Sequence, residues 1–243
     1  MSHAPTPSSS AQGPPLLSLT DVGVSYYLWK SWWKRTRYWA LRDINLELRK
    51  GESLGVIGRN GSGKSTLLRV LAGVIGPDVG EIHNAGVRAS LLSLRLGFVD
   101  HLTGRQNAIL SALFLGMRKH DIELRMDEII AFSEIDEFID APVSTYSSGM
   151  KARLAFAVAF QINPDVLLVD EVGGVGDARF RERSFAAMKE RLRSRDSTVV
   201  YVSHNANLVR QLCDRAVWIE KGQILAAGDV HHVLQKYKTF LQV

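Results

Sequence analysis

Residues 58–65 read Gly58-Arg59-Asn60-Gly61-Ser62-Gly63-Lys64-Ser65, the pattern G-x-x-x-x-G-K-[ST]. The run before it, Ser53–Ile57, is short and apolar, and the run after it, Ser65–Leu71, has helical spacing. A strand that opens through glycines into a helix turns backbone N–H groups inward, and the positive end of the helix adds to their field. That chemistry suits phosphate oxygens. Gly58, Asn60, Gly61, Ser62 and Gly63 then shape a cradle, and Lys64 reaches the β- and γ-phosphates of a nucleotide. Ser65 offers its hydroxyl to Mg²⁺, and Thr66 adds a bond to the α-phosphate. The competing reading, a glycine-rich connection with a surface lysine, leaves unexplained why every fixed position is filled with the flanks in place.

Further along the chain, Val166-Leu167-Leu168-Val169 is an apolar run that ends in Asp170 and Glu171. A carboxylate at a strand tip holds Mg²⁺, and the next one polarises an attacking water, so Asp170 and Glu171 take those roles. Alone, such a tip often marks only a strand meeting solvent. It lies about 106 residues beyond Lys64 and supplies the second half of a nucleotide site. Between the two halves, Thr145-Tyr146-Ser147-Ser148-Gly149-Met150 precedes a helical stretch with apolar Leu154, Phe156, Ala157 and Phe160. Ser147 suits a helix N-cap, and the same helix start suits a second phosphate contact. The residues themselves leave both readings open.

The 243 residues are 46% hydrophobic and 23% charged, the mix of an ordinary globular chain, which excludes wholesale disorder, a rod or a collagen-like fibre. The longest apolar stretch, Leu154–Phe160, is far shorter than the roughly 20 residues of a membrane span. Residues 1–15 lack the basic start and apolar core of a signal peptide and read as a disordered tail. One cysteine, Cys213, excludes an internal disulfide and a cysteine metal cluster. From these points we expect the chain on the cytoplasmic side. Segment 28–39 is anomalous. It carries Lys30, Lys34, Arg35 and Arg37 with no acid, which is +4 of the chain's net +5, and it holds four of the five tryptophans. We expect strands at Leu17–Val22 and Ile44–Leu48 with this segment as the loop between them. A strand at Ser90–Leu94, a helical block from about 98 to 162, a charged helix at Ala178–Arg195 and a strand at Thr198–Val202 follow. A hairpin around Lys221-Gly222 and a final helix at His231–Leu241 close the chain. Strands, an inserted helical block and then βαβ alternation predict an α/β sheet core with a helical subdomain.

Taken together these motifs resemble the ATP-binding subunit of an ABC transporter. Tyr146–Met150 stands where the family carries its signature, Gly174-Val175-Gly176-Asp177 looks like the D-loop, and Val202-Ser203-His204 looks like the switch-histidine loop. The match runs in order from about residue 17 to about 240. It implies a P-loop NTPase fold of the ABC nucleotide-binding type over residues 16–243, with a RecA-like sheet core, an antiparallel β subdomain and an inserted α-helical subdomain. The segments WALRD (39–43), LTGRQN (102–107), YSSGM (146–150), RLAFAVA (153–159) and DEVGGVGDARF (170–180) are similar to the branch that exports O-antigen, capsule and teichoic acid. That resemblance implies ATP and Mg²⁺ as ligands and a homodimer beneath a separate permease dimer. The transported substrate is then a lipid-linked glycan and the location the cytoplasmic face of the inner membrane. No nucleic acid partner and no C-terminal carbohydrate-binding domain are expected.

The resemblance also assigns roles. Lys64, Glu171 and His204 are catalytic. Ser65 and Asp170 hold the metal. Ser147, Ser148, Gly149 and Asp177 act on the partner subunit's ATP. An aromatic face for adenine falls to Tyr27, with Tyr26 and Tyr38 as alternatives. The chain departs from the family where a glutamine usually meets Mg²⁺, since Ser93 or Leu94 stands there. In the signature, Ser148 and Met150 replace glycine and glutamine. Tryptophans favour the membrane interface and basic side chains favour anionic headgroups, so Trp32, Trp33, Lys34 and Arg35 are candidates for lipid contact. Rival functions are a soluble ABC ATPase acting on nucleic acid or ribosomes, an ATP-binding subunit without turnover, and an ABC ATPase serving another transported substrate.

Overall fold

The computed structural model describes residues 13–31, 34–92, 98–170, 177–193 and 197–242. In chain order the first strands are β1 (Leu17–Ser31), β2 (Lys34–Leu48) and β3 (Ser53–Ile57), then helix α1 (Lys64–Leu71), β4 (Val79–Asn84) and β5 (Ala89–Leu92). The helical block holds α2 (Gly104–Phe114), α3 (Lys119–Leu124), α4 (Met126–Ser133) and α5 (Ser148–Phe160), with 3₁₀ turns at Asp136–Phe138 and Val143–Thr145. After it come β6 (Val166–Asp170), α6 (Ala178–Arg193), β7 (Thr198–Val202), α7 (Ala206–Leu212), β8 (Arg215–Glu220), β9 (Gln223–Asp229) and α8 (Val230–Leu241).

Two sheets form. The core sheet has the order β5-β6-β7-β3-β8-β9. Strands β5, β6, β7, β3 and β8 run parallel, and β9 closes one edge antiparallel. Both of its faces are covered, which is why β3, β6 and β7 read as apolar runs rather than as alternating patterns. Val166, Leu168, Val200 and Val202 point to one core with α1 and the small sheet, while Leu167, Val169, Val199 and Tyr201 point to the other. There is no room between sheet and helix at Gly55, where a Cβ would collide with Val209 of α7.

The small sheet, β2-β1-β4, is antiparallel, and here the structure corrects the sequence reading. Segment 28–39 is not a loop between two short strands. β1 and β2 pair from Leu17↔Leu48 out to Ser31↔Lys34, so its described residues belong to the outer half of one long hairpin. The ladder slips at four places, and Asp21 and Asp43 take left-handed φ of 50° and 52°. Such bulges break the period-2 pattern that would have announced the strands. β4 pairs with β1 only as far as Gly23↔Val79, leaving the outer half of the hairpin as an arm. Its root is pinned by Asp78, which accepts from the Ser25 N–H (2.6 Å) and the Ser25 hydroxyl (2.8 Å). β4 and α7 have no counterpart in the sequence reading.

The helical block runs from α2 to α5. Ile122, Met126, Ile129 and Ile135 are all buried, with Ile130 packed beside them. The junction into it is fixed by Asn107, fully buried on α2. Its Oδ1 accepts from Val99 N (2.8 Å), and its Nδ2 donates to the carbonyls of Val99, Leu102 and Thr103 at 3.0 to 3.1 Å. Thr103 and Gln106 close a reciprocal capping box at the start of the same helix. No helix among the described residues is long and apolar enough to cross a membrane.

Candidate nucleotide site and its outward-facing motifs

The loop of residues 58–63 leaves β3, whose neighbours are β7 and β8, and enters α1. Gly58 sits against β8, where a Cβ would run into the Ile219 carbonyl. Gly63 has φ 112°, and a Cβ there would lie 2.6 Å from the Ala40 carbonyl and 2.9 Å from Leu41. Only glycine tolerates both the conformation and the contact. The turn between β8 and β9 clamps the loop from outside: Gly222 N donates to Ser62 O (2.8 Å), and Arg42 N donates to Gly222 O (2.8 Å). Inside the curl, the buried Lys64 ammonium donates to the carbonyls of Gly58 (2.8 Å) and Arg59 (2.9 Å). The buried Ser62 Oγ has no hydrogen-bond partner. No side chain caps α1, whereas α2, α5, α7 and α8 each carry a capping side chain. A buried cation, an orphan hydroxyl and an uncapped helix start in one curl form a cradle suited to an oxyanion.

The carboxyl ends of the parallel strands converge beside this loop, as ligand sites in open α/β sheets do. Asp170, the last residue of β6, pairs with Val202 at the end of β7. Val202 pairs in turn with Val56 of β3, and Ser203 N donates to Val56 O (3.2 Å). The next residue, His204, is exposed at the same edge. Asp170 is half-buried and Ser65 lies exposed in the first turn of α1. These are hard oxygen donors suited to Mg²⁺, which takes only one or two protein ligands beside substrate phosphates. Among the described residues no group of three or more His, Cys, Asp or Glu forms a denser metal site. Glu171 lies outside the described residues, as do Ser93, Leu94, Trp32, Trp33 and Gly174–Gly176.

The signature residues open α5. Ser147 is its N-cap, with Oγ accepting from Met150 N (3.1 Å), so the helix-starting role is real. Ser147 and Ser148 are exposed. A Cβ on Gly149 would meet nothing nearer than Ser147 Oγ at 3.7 Å, so packing within the subunit does not require glycine there. Tyr146 anchors the turn below, its hydroxyl donating to Phe138 O (2.5 Å), and burial raises its phenol pKa. Asp177 starts α6, accepting from Phe180 N (2.9 Å), and its carboxylate is 62% exposed.

The pleat separates the three tyrosines onto two sides of the ribbon. Val24 pairs with Leu41, which packs against Gly63, and Tyr26, two residues on, shares that side of β1. Its cross-strand partner is Tyr38. Tyr27 falls on the opposite side with Ser25, where Arg37 Nε donates to Ser25 Oγ (2.8 Å) and stacks on Trp39 at 4.1 Å. Tyr26 and Tyr38 thus pair across the ribbon on the side of Val24, and Tyr27 lies on the side of Ser25. Arg35 is exposed on the outer arm. Lys34 takes its place in β2 by backbone pairing with Ser31.

A central strand carrying this loop, with a histidine just past the end of the neighbouring strand β7 and an acid at the end of β6 beyond it, defines a nucleotide-binding domain of the P-loop class. The comparisons narrow the class. The family profile described as "ABC transporter" matches residues 41–173. The O-antigen export system ATP-binding protein RfbB of Myxococcus xanthus is 46% identical over 199 residues, covering 82% of this chain and 45% of that protein. The protein of the same name from Klebsiella pneumoniae is 44% identical over 205 residues, covering 84% and 83%. The teichoic acids export ATP-binding protein TagH of Enterococcus faecalis is 41% identical over 204 residues, covering 84% and 45%. The chain thus spans under half the length of some relatives and most of others. A solved ATP-binding cassette, dimeric and bound to ADP and phosphate, superposes with TM-score 0.73 at 22% identity, covering 88% of this chain and 98% of that one. The chain belongs to the ABC transporter family, as an ATP-binding subunit with the cassette fold.

Proposed function

We propose that this chain is the ATP-hydrolysing subunit of an ABC transporter that drives export of a polysaccharide, on a lipid carrier, through a separate permease across the inner membrane. The observation that carries the reading is 41–46% identity to O-antigen and teichoic-acid export ATP-binding proteins over more than four-fifths of this chain, with Lys64, Asp170, Glu171 and His204 all present.

Phosphoryl transfer to water needs positioning and charge stabilisation more than covalent help. The backbone N–H groups of residues 61–66 and the start of α1 bind the phosphates. Lys64 exchanges the carbonyls of Gly58 and Arg59 for phosphate oxygens, so the loop is pre-formed around a cation before the anion arrives. Mg²⁺, held by Ser65 and Asp170, would supply charge neutralisation at the β- and γ-phosphates. Glu171 orients the water and His204 steadies the γ-phosphate. Tyr26, backed by Tyr38, offers the face for adenine. Two subunits pack head to tail, so Ser147, Ser148, Gly149 and Asp177 of one complete the site of the other. ATP then favours the paired arrangement because only that arrangement gives it both sets of contacts.

The arm of β1 and β2 extends beyond the small sheet, and we assign the segment carrying Trp32, Trp33, Lys34 and Arg35 to the anionic inner leaflet. Replacing those four residues by Ala and Ser should abolish flotation with vesicles containing anionic lipid while ATP turnover is kept. Undiminished flotation would refute that assignment. The test of the main reading is genetic and biochemical together. Deletion of the gene should remove the surface glycan, the unmodified chain should restore it, and Glu171→Gln should not. Restoration by Glu171→Gln, or co-purification with a solute importer instead of a permease for glycan, would overturn it.

A further inference from the structure

Two arginines converge on the carboxyl end of α4. Arg153, on α5, donates from Nε to Ser133 O (2.9 Å) and from Nη2 to Glu134 O (3.3 Å). Its Nη1 stands 3.8 Å from the Asp177 carboxylate, and its side chain is only 18% exposed. Arg183, on α6, pairs with the Glu134 carboxylate (2.6 Å) and donates to Phe132 O. A helix carboxyl end carries partial negative charge and open carbonyls, so it attracts cations from both sides. Glu134 caps α4 in the left-handed conformation, φ 51°, and so turns both its carbonyl and its side chain toward the two arginines. Beneath them, Phe132 stacks on Phe156 and Phe160 of α5, centroids 5.7 and 5.6 Å away, and meets Phe180 of α6 edge-on at 5.7 Å. The Arg183 guanidinium lies 4.5 Å above the Phe132 ring. Residues 132–134 therefore hold α5 and α6 together by polar bonds on one side and aromatic packing on the other.

What those two helices carry gives the junction its meaning. α5 begins at Ser147, six residues or about 9 Å of helix before Arg153, and α6 begins at Asp177. Both ends are exposed. We propose that Arg153 and Arg183, fastened to residues 132–134, are positioning residues that set the spacing between Ser147 and Asp177, and so the surface this subunit presents to its partner's ATP. The proposal rests on the paired-site reading above. The two carbonyl bonds of Arg153 fix its guanidinium. The longer contact to Asp177 is the softer member and is the one that responds when the partner docks.

The test uses the full chain in a Glu171→Gln background, to hold ATP, and in the wild-type background for turnover. Variants are Arg153→Met, Arg153→Lys and Glu134→Gln. Arg153→Met should leave the affinity of the isolated subunit for MgATP within about twofold. It should weaken ATP-dependent dimerisation, read by sedimentation, and lower kcat, each by about tenfold, the size of coupling that such junctions carry. Arg153→Lys keeps the charge and one carbonyl bond and should restore part of both. Glu134→Gln, at a surface-accessible carboxylate, should show the same pattern in smaller degree without altering the fold, and it carries the test should Arg153→Met not fold. An unmodified chain that stays monomeric with ATP refutes the paired-site reading and this proposal with it. An unmodified chain that dimerises, beside Arg153→Met and Glu134→Gln variants that dimerise equally well, refutes this proposal alone.

Discussion

Ser147 has two roles to fill, and one substitution separates them. Its Oγ caps α5 through Met150 N at 3.1 Å, and the proposed dimer points the same hydroxyl at the partner's γ-phosphate. Ser147→Ala removes both and should cost about 1 kcal/mol of stability from the lost cap. Ser147→Asp removes only one. Aspartate caps as well as serine, and its charge at a helix start adds a few tenths of a kcal/mol in favour. Stability should therefore match the parent or exceed it slightly. The same carboxylate would face a triphosphate. One unit charge at about 4 Å from another, in the effective dielectric of a protein surface, costs about 4 kcal/mol, or close to three decades in ATP-driven association and turnover. Urea unfolding should rank the parent and Ser147→Asp together above Ser147→Ala. Steady-state ATPase should rank the parent first, Ser147→Ala next and Ser147→Asp last by about a thousandfold. A Ser147→Asp chain that is stable and turns over ATP at the parent rate would mean that Ser147 does nothing but start its helix.

Other outcomes follow from the same structure. Asn107→Ala strips Val99 N of its buried acceptor and three carbonyls of their donor, and should lower stability by about 3 kcal/mol in urea, with exchange of the 98–103 amides rising first. Gly63→Ala forces a Cβ to 2.6 Å from Ala40 O at φ 112° and should abolish nucleotide binding by the isolated subunit, measured calorimetrically. The Ser25 hydroxyl and N–H, with lesser help from Arg37, hold the Asp78 carboxyl below its ordinary pKa. Its anchoring of the arm is therefore full above about pH 4, the unfolded value, and fades as pH falls through the lowered folded value. Amide exchange in the arm should rise over that acid range in the parent and be already raised in Asp78→Asn at neutral pH. Burial pushes the Cys213 thiol up to about 12, so iodoacetamide at pH 8 should label it only as fast as the protein unfolds.

The phosphate-loop motif is legible because its information is local: the glycines, lysine and serine that shape the cradle are consecutive, and β3 and α1 flank them directly. The buried strands were legible for a related reason, since a sheet covered on both faces writes itself as an unbroken apolar run. The arm is hidden in the sequence because bulges at Asp21 and Asp43 and a run of aromatic and basic side chains erase alternation, and pairing of Ser31 with Lys34 has no marker in composition. β4 escapes because none of its six residues is fully buried and Ile82 alone of them packs, half-buried, on the core, too little to write an apolar pattern. Spacing in sequence does not reveal which side of a pleated ribbon Tyr26 and Tyr27 take, because that depends on where the ladder slips. The roles of Arg153, Arg183 and Asn107 were hidden more deeply. Asn107 was visible only as part of a family-like string, and the two arginines draw their partners from 19 to 51 residues away.

The order β7-β3-β8 at the heart of the core sheet has a further consequence, which concerns synthesis. β3 is complete at Ile57, yet its first neighbour β7 begins at Thr198 and its second, β8, at Arg215. A ribosome adding about 5 to 20 residues per second leaves this five-residue apolar strand without either neighbour for about 7 to 28 s. During that interval the strand has the composition of an aggregation-prone segment, and α1 and the small sheet are the elements of the core made early enough to shield it. The delay belongs to translation and not to the finished fold, and a slow-translating stretch between β5 and β7 would lengthen it without changing a single residue.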